Sequence, residues 1–190
     1  MKYLCFIWIL LLFSCKNEKH KVIVIQPFSD FPTANANAVY QKVKQINPNT
    51  ILAPAIALPK SAFYVKRNRY RADSLLKFLN KPNSDTIVVG ITSKDISTGK
   101  DQYADWGVMG LGYTPGNACV VSLFRLSKAN TMAQFYKVVI HELGHTAGLP
   151  HCSNPACFMR DAEGGNPLDK EKDFCTACKA YLKNKGWLLQ

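Results

Sequence analysis

Residues 141–151 read His-Glu-Leu-Gly-His-Thr-Ala-Gly-Leu-Pro-His, and no other stretch restricts the fold so tightly. His141 and His145 are four apart, so on a helix their rings stand one turn apart on one face and can share a metal ion. Glu142, next to the first histidine, can reach a water on that metal without ligating it. Gly148 lets the chain turn away from the helix, and that turn returns His151 as a third nitrogen. Three neutral imidazoles leave one position of a tetrahedral zinc open to water, which is the arrangement of a catalytic site. The chain must therefore build a helix whose histidine face looks into a cleft.

The flanking residues agree with that demand. The spacing predicts a helix over 131–147, opened by a capping box of Thr131 and Gln134. At 100° per residue, Met132, Phe135, Tyr136, Val139, Ile140, Leu143 and Ala147 share one arc, with the histidines near the opposite side. Upstream, short β-branched runs alternate with helical patterns. Strands are expected at 21–26, 51–57 and 86–92, and helices at 37–46 and 72–79. The run 86–92 is continuously apolar, as in a strand buried on both faces. Two more strands are expected at 107–113 and 118–124, and a last helix at 173–184. This order argues an α/β (α+β) domain with partly parallel strands. A length of 190 residues fits one domain, and 47% hydrophobic against 19% charged residues excludes a disordered chain.

Seven cysteines are distributed unevenly. Cys119 sits in an apolar run and reads as a buried thiol. Cys152 directly follows the third histidine, Cys157 follows four residues later, and Cys175 and Cys178 form a Cys-x-x-Cys. Two close pairs suit a closed four-thiolate structural zinc; two disulfides or a redox-active pair are the other uses of such spacing. Met159 stands between the pairs.

Taken together, the extended histidine motif, Cys-x-x-x-x-Cys-x-Met and the later Cys-x-x-Cys closely resemble the archaemetzincin family of the metzincin clan. The segments 67–76 and 106–119 resemble that family as well, so the resemblance spans nearly the whole chain after its first residues. It implies a compact metzincin-like domain with a mixed, about five-stranded twisted sheet, an active-site helix and a small C-terminal subdomain (22–148 and 149–190). It also implies two zincs: a catalytic one on His141, His145 and His151, and a structural one on Cys152, Cys157, Cys175 and Cys178. Met159 would form the turn beneath the catalytic metal. The implied reaction is peptide hydrolysis with Glu142 as general base, the substrate lying along an edge strand at about 107–113. The alternative is a zinc-stabilised, peptide-binding lipoprotein that does not cut.

The first residues read as an address. Lys2 precedes an uncharged stretch over 3–13, too short to span a bilayer as a helix. Ser14-Cys15 comes next, with Leu12 three positions before the cysteine, which resembles a lipoprotein signal cut before a lipidated cysteine. Residues 1–14 are then the signal peptide and 15–21 a tether, on a monomer that is exported, membrane-anchored and faces the periplasm or cell surface. The net charge of +11 and the basic run 66–71 are compatible with nucleic acid. An export signal argues against that partner, and a solvated face with structural ion pairs is the expected use of the run.

Overall fold

The computed structural model describes residues 21–82 and 84–189. The signal peptide, Cys15 and all of the tether but Lys21 lie outside the described residues. The chain runs β1 (Val22–Pro27), α1 (Thr33–Ile46), β2 (Thr50–Leu52), β3 (Phe63–Tyr64), β4 (Arg69–Arg71), α2 (Ala72–Leu79), β5 (Thr86–Thr92), β6 (Ile96–Lys100), β7 (Tyr103–Val108), β8 (Gly110–Gly112), β9 (Ala118–Ser122), α3 (Thr131–Thr146) and α4 (Thr176–Asn184). Among the described residues, no helix is long and apolar enough to cross a membrane.

A five-stranded sheet ordered β2-β1-β5-β9-β8 carries the core. Its first four strands are parallel, and β8 adds antiparallel at the edge. Side chains alternate across it. Ile23, Ile25, Val89, Ile91, Cys119 and Val121 pack with α1 and α3 on one face. Val88, Ala118 and Val120 pack with Phe28 and with Leu75, Leu76 and Leu79 of α2 on the other. The central strand β5 is buried on both faces, as its apolar run predicts, and Cys119 is fully buried. Burying each of the larger side chains contributes roughly 1.5–3 kcal/mol, so this sheet is the rigid platform of the molecule.

A second sheet, ordered β3-β4-β6-β7, lies beyond it. It uses the basic run: Arg69 reaches Asp95 and Asp105, while Arg67 and Arg71 also reach Asp105. The arginines thus tie strands together, as expected of structural ion pairs.

Several boundaries differ from the sequence expectation. The single strand expected at 107–113 is two strands in two sheets. β7 stays with the second sheet, and the chain crosses at Met109, whose carbonyl accepts from the Ser122 N–H, before β8 joins the first. The strand expected at 51–57 stops at Leu52, and only Ile56 makes a further bridge, to Phe28, past Pro54. Helix α1 begins at Thr33, directly after Pro32. The last helix begins at Thr176, because the Asp173 carbonyl is committed to the Phe158 N–H. The capping box at α3 does not form. Thr131 Oγ1 donates to the Ser127 carbonyl, and Gln134 is taken up by the Ser127 N–H and by Asp169.

Candidate active site

Helix α3 packs on β8 and β9 and turns its other side to a cleft. Phe135, Val139, Ile140 and Leu143 are buried in the core. After Thr146 the chain turns at Gly148, whose φ of +101° is left-handed and suits a residue without a Cβ. The Gly148 N–H donates to the His145 carbonyl and the Leu149 N–H to that of Gly144. This turn carries His151 back toward the helix.

The three histidines converge. Their ligand atoms all lie within 4.8 Å of one another, and the Nε2 atoms of His141 and His145 are 3.0 Å apart. His141 Nδ1 is 2.7 Å from the Phe158 carbonyl, and His145 Nδ1 is 2.7 Å from the Leu149 carbonyl. A carbonyl can only accept, so each Nδ1 donates its proton and each Nε2 keeps a lone pair. Two lone pairs facing each other at that distance repel unless a cation lies between them. A tetrahedral ion with metal–nitrogen bonds of about 2.0–2.1 Å holds its nitrogens roughly 3.3 Å apart, so the set fits zinc. His151 Nδ1 lies 3.3 Å from Asp161 Oδ2. Burial, with the neighbouring His145, pulls His141 down to about 4, and burial also lowers His145, so both rings are neutral near pH 7.

Glu142 is only 6% exposed. Burial pushes its carboxyl up to about 8. It lies against strand β8, where two glycines make the room. A Cβ on Gly110 would stand 2.6 Å from Glu142 Oε1, and one on Gly112 would stand 3.1 Å from Oε2. Met159 is fully buried beneath the helix, and a Cβ on Gly144, between the two helix histidines, would meet its Sδ at 2.5 Å.

The four cysteines form a second cluster, with all four Sγ atoms within 4.8 Å of one another. Cys152 and Cys175 are 3.7 Å apart. Four sulfurs about 2.3 Å from one zinc have edges of roughly 3.8 Å, so this set also fits. The Met159 and Cys175 N–H groups donate to Cys157 Sγ, where they offset part of the rise that burial imposes on that thiol, and the N–H of Asn154 donates to Cys152 Sγ. Cys175 is the N-cap residue of α4, and the backbone of Cys178 brings its thiol down to about 7.

A cleft of about 880 Å³ joins β8, the three histidines, Glu142 and the 160–168 loop. The structure thus brings His141, Glu142, His145 and His151 together on one cavity, with Met159 below and the cysteines behind. Asp161, Gly110, Gly112 and Glu171 also belong to this region and were not singled out from the sequence. The glycines sit in a Gly-x-Gly of a short strand, a pattern that points to close backbone approach; the two acids carry no local signal.

The model for peptidase family M54 matches residues 19–184. A curated archaemetzincin from Haloquadratum walsbyi is 31% identical over 139 residues, 66% of this chain and 78% of its own length. The solved archaemetzincin from Archaeoglobus fulgidus, crystallised with malonate, superposes with a TM-score of 0.73 at 27% identity, covering 84% of this chain and 98% of that one. The archaemetzincin from Methanopyrus kandleri gives 0.73 at 26% identity, with 90% and 98% covered. A family match over most of the length, the same fold and two clusters with the donor chemistry of zinc agree, and the chain belongs to peptidase family M54, the archaemetzincin zinc metallopeptidases.

Proposed function

We propose that His141, His145 and His151 hold the catalytic zinc of this peptidase, that Glu142 is its general base, and that Cys152, Cys157, Cys175 and Cys178 hold a structural zinc. Met159 is the turn residue beneath the histidines. The observation that carries this reading is the pair of facing Nε2 atoms 3.0 Å apart, each on a ring whose other nitrogen is committed to a carbonyl.

When bound, the metal supplies a Lewis acid that lowers the pKa of water toward about 7 and polarises a carbonyl. The chain's own residues do the rest. Glu142 accepts the proton of the attacking water and returns it to the leaving amine. β8 pairs with β9 on one side only, and its other edge is left to take an extended peptide as an added strand. That edge is Gly110–Gly112, shorter than the 107–113 segment expected, and it passes directly over Glu142. A peptide held there meets the base at the scissile bond. The Phe158 and Leu149 carbonyls and Asp161 fix the rings, which keeps the ligand geometry from relaxing.

The reading extends to location: a signal peptide over 1–14, lipidation at Cys15 and a monomer working on peptides or proteins outside the cytoplasm. The uncharged run over 3–13 followed by Ser14-Cys15 supports it. Cys15→Ser in the full chain should shift the protein from the detergent phase to the aqueous phase in a cloud-point separation. An unchanged partition would refute the anchor. For the metal sites, the expected content is two zincs per chain, falling to one in His145→Ala. Two zincs retained in that variant would remove the histidines from the ligand set.

A further inference from the structure

The cleft contains a carboxylate that the hydrolytic machinery does not use. Lys137 Nζ, on α3, donates at 2.6 Å to the carbonyls of both Leu168 and Glu171. These bonds dock the 168–171 loop beside the helical turn that precedes His141. One turn is about 5.4 Å, so this corner of the cavity adjoins the first histidine. Val138 and Leu168 give it apolar walls, and Glu171 also lines it. Glu171 is 2% exposed, and its Oε2 atom is buried without a hydrogen-bond partner. Lys137 and Arg160 are near enough to attract the carboxylate, yet among the described residues no cation stands within ion-pair distance of it. The Lys137 ammonium is already occupied by the two carbonyls.

A buried carboxylate with an oxygen left unpartnered is costly. Burial pushes this one up to about 7. That cost persists in a substrate cavity for a reason if a guest supplies the missing charge. We propose that Glu171 is a specificity residue that receives a cationic group of the peptide substrate, an ammonium or guanidinium, in the corner of the cleft next to His141. The aliphatic stem of a lysine or arginine side chain would lie along Val138 and Leu168 with its charged end at Glu171, an arrangement such stems favour. A free amino terminus carries the same ammonium and is the second source of the same chemistry.

This inference rests on the peptide-binding role of the cleft, and binding tests it apart from catalysis. The zinc-loaded full chain carrying Glu142→Ala is titrated with acetylated hexapeptides in which lysine or norleucine occupies each position in turn, and with their unacetylated counterparts. The expected result is a preference of about tenfold, the size of one charge-assisted contact. It appears either for lysine over norleucine at a defined position or for the free over the acetylated terminus. The first identifies a side chain as the guest and the second the amino terminus. The preference should disappear on adding Glu171→Gln, and equally on adding Glu171→Leu, with both zincs retained. Matched peptides of equal affinity, or a preference that survives both replacements, would overturn the proposal. Turnover by the chain without replacements reports separately on the base. Peptide cleavage without a Glu171-dependent preference leaves the hydrolytic reading standing and removes only this one.

Discussion

His151 is the least enclosed of the three histidines, with 47% of its side chain exposed, and Asp161 is its anchor. The N–H of Glu163 and the nearby His151 hold the Asp161 carboxyl below its usual range, so it is ionised and available to orient the ring. Asp161→Asn should weaken zinc at the histidine site by about 10- to 100-fold, the common effect of losing such a partner. Competition with a chromophoric chelator measures this, and the cysteine site should be unaffected. Glu142 has a pH signature. As the proposed base it works only when ionised, and burial raises its carboxyl, so activity should rise with pH along an acid limb lying between the ordinary carboxylate range and about 8. A kcat/KM profile that is flat across that range would contradict Glu142 as the base.

Strand β8 is where an element controls a residue. Its two glycines let the backbone pass over the Glu142 carboxylate, and Gly110→Ala would put a methyl 2.6 Å from Oε1. The predicted outcome is a fall in kcat of about tenfold or more, from misplacing the base, with both zincs kept. Shortening the base should relieve the clash. Gly110→Ala combined with Glu142→Asp should lose less than the product of the two single effects, which a double-mutant cycle reads directly. Elements of this kind explain why parts of the fold were illegible in the sequence. β5 was legible because six of its seven residues are buried, on both faces of the sheet. α3 was legible because its histidines, Phe135, Val139 and Leu143 follow helical spacing. The second sheet was not. β4 is Arg-Tyr-Arg, and its strand character comes from Asp95 and Asp105 far along the chain rather than from apolar alternation. The capping box failed for the same reason: Gln134 is claimed by Asp169, 35 residues away. The histidine and cysteine clusters were readable because metal binding favours short spacings. Asp161 and Glu171 were not, because loops bring them to the cleft.

At the scale of the whole molecule, the parallel sheet holds α3, and the histidine and cysteine clusters, with the metals proposed for them, hold the segment between α3 and α4. Residues 149–175 contain no helix or strand, and their order rests on the cysteine cluster and on Met159, Leu168 and Phe174 packed into the main core. Cys157 is buried, with two N–H groups aimed at its sulfur. Cys157→Ser should therefore lower the melting temperature more than His145→Ala does, since only the former releases the segment from its tie. Glu171 sets a stability slope with pH. Its folded-state pKa, about 7, lies above the ordinary value of 4.5, so its contribution is complete below about 4.5 and is lost as pH rises through 7. Glu171→Gln should accordingly stabilise the protein relative to its parent at pH 8, with the gain shrinking toward pH 5, as denaturant midpoints would register. In the proposed mechanism one carboxylate, that of Glu142, moves the proton of peptide hydrolysis. Peptide turnover by the zinc-loaded chain, measured beside Glu142→Ala at equal zinc content, tests it most directly. The expected loss is about 10²-fold or more with both zincs retained, and undiminished turnover in the variant would contradict Glu142 as the base.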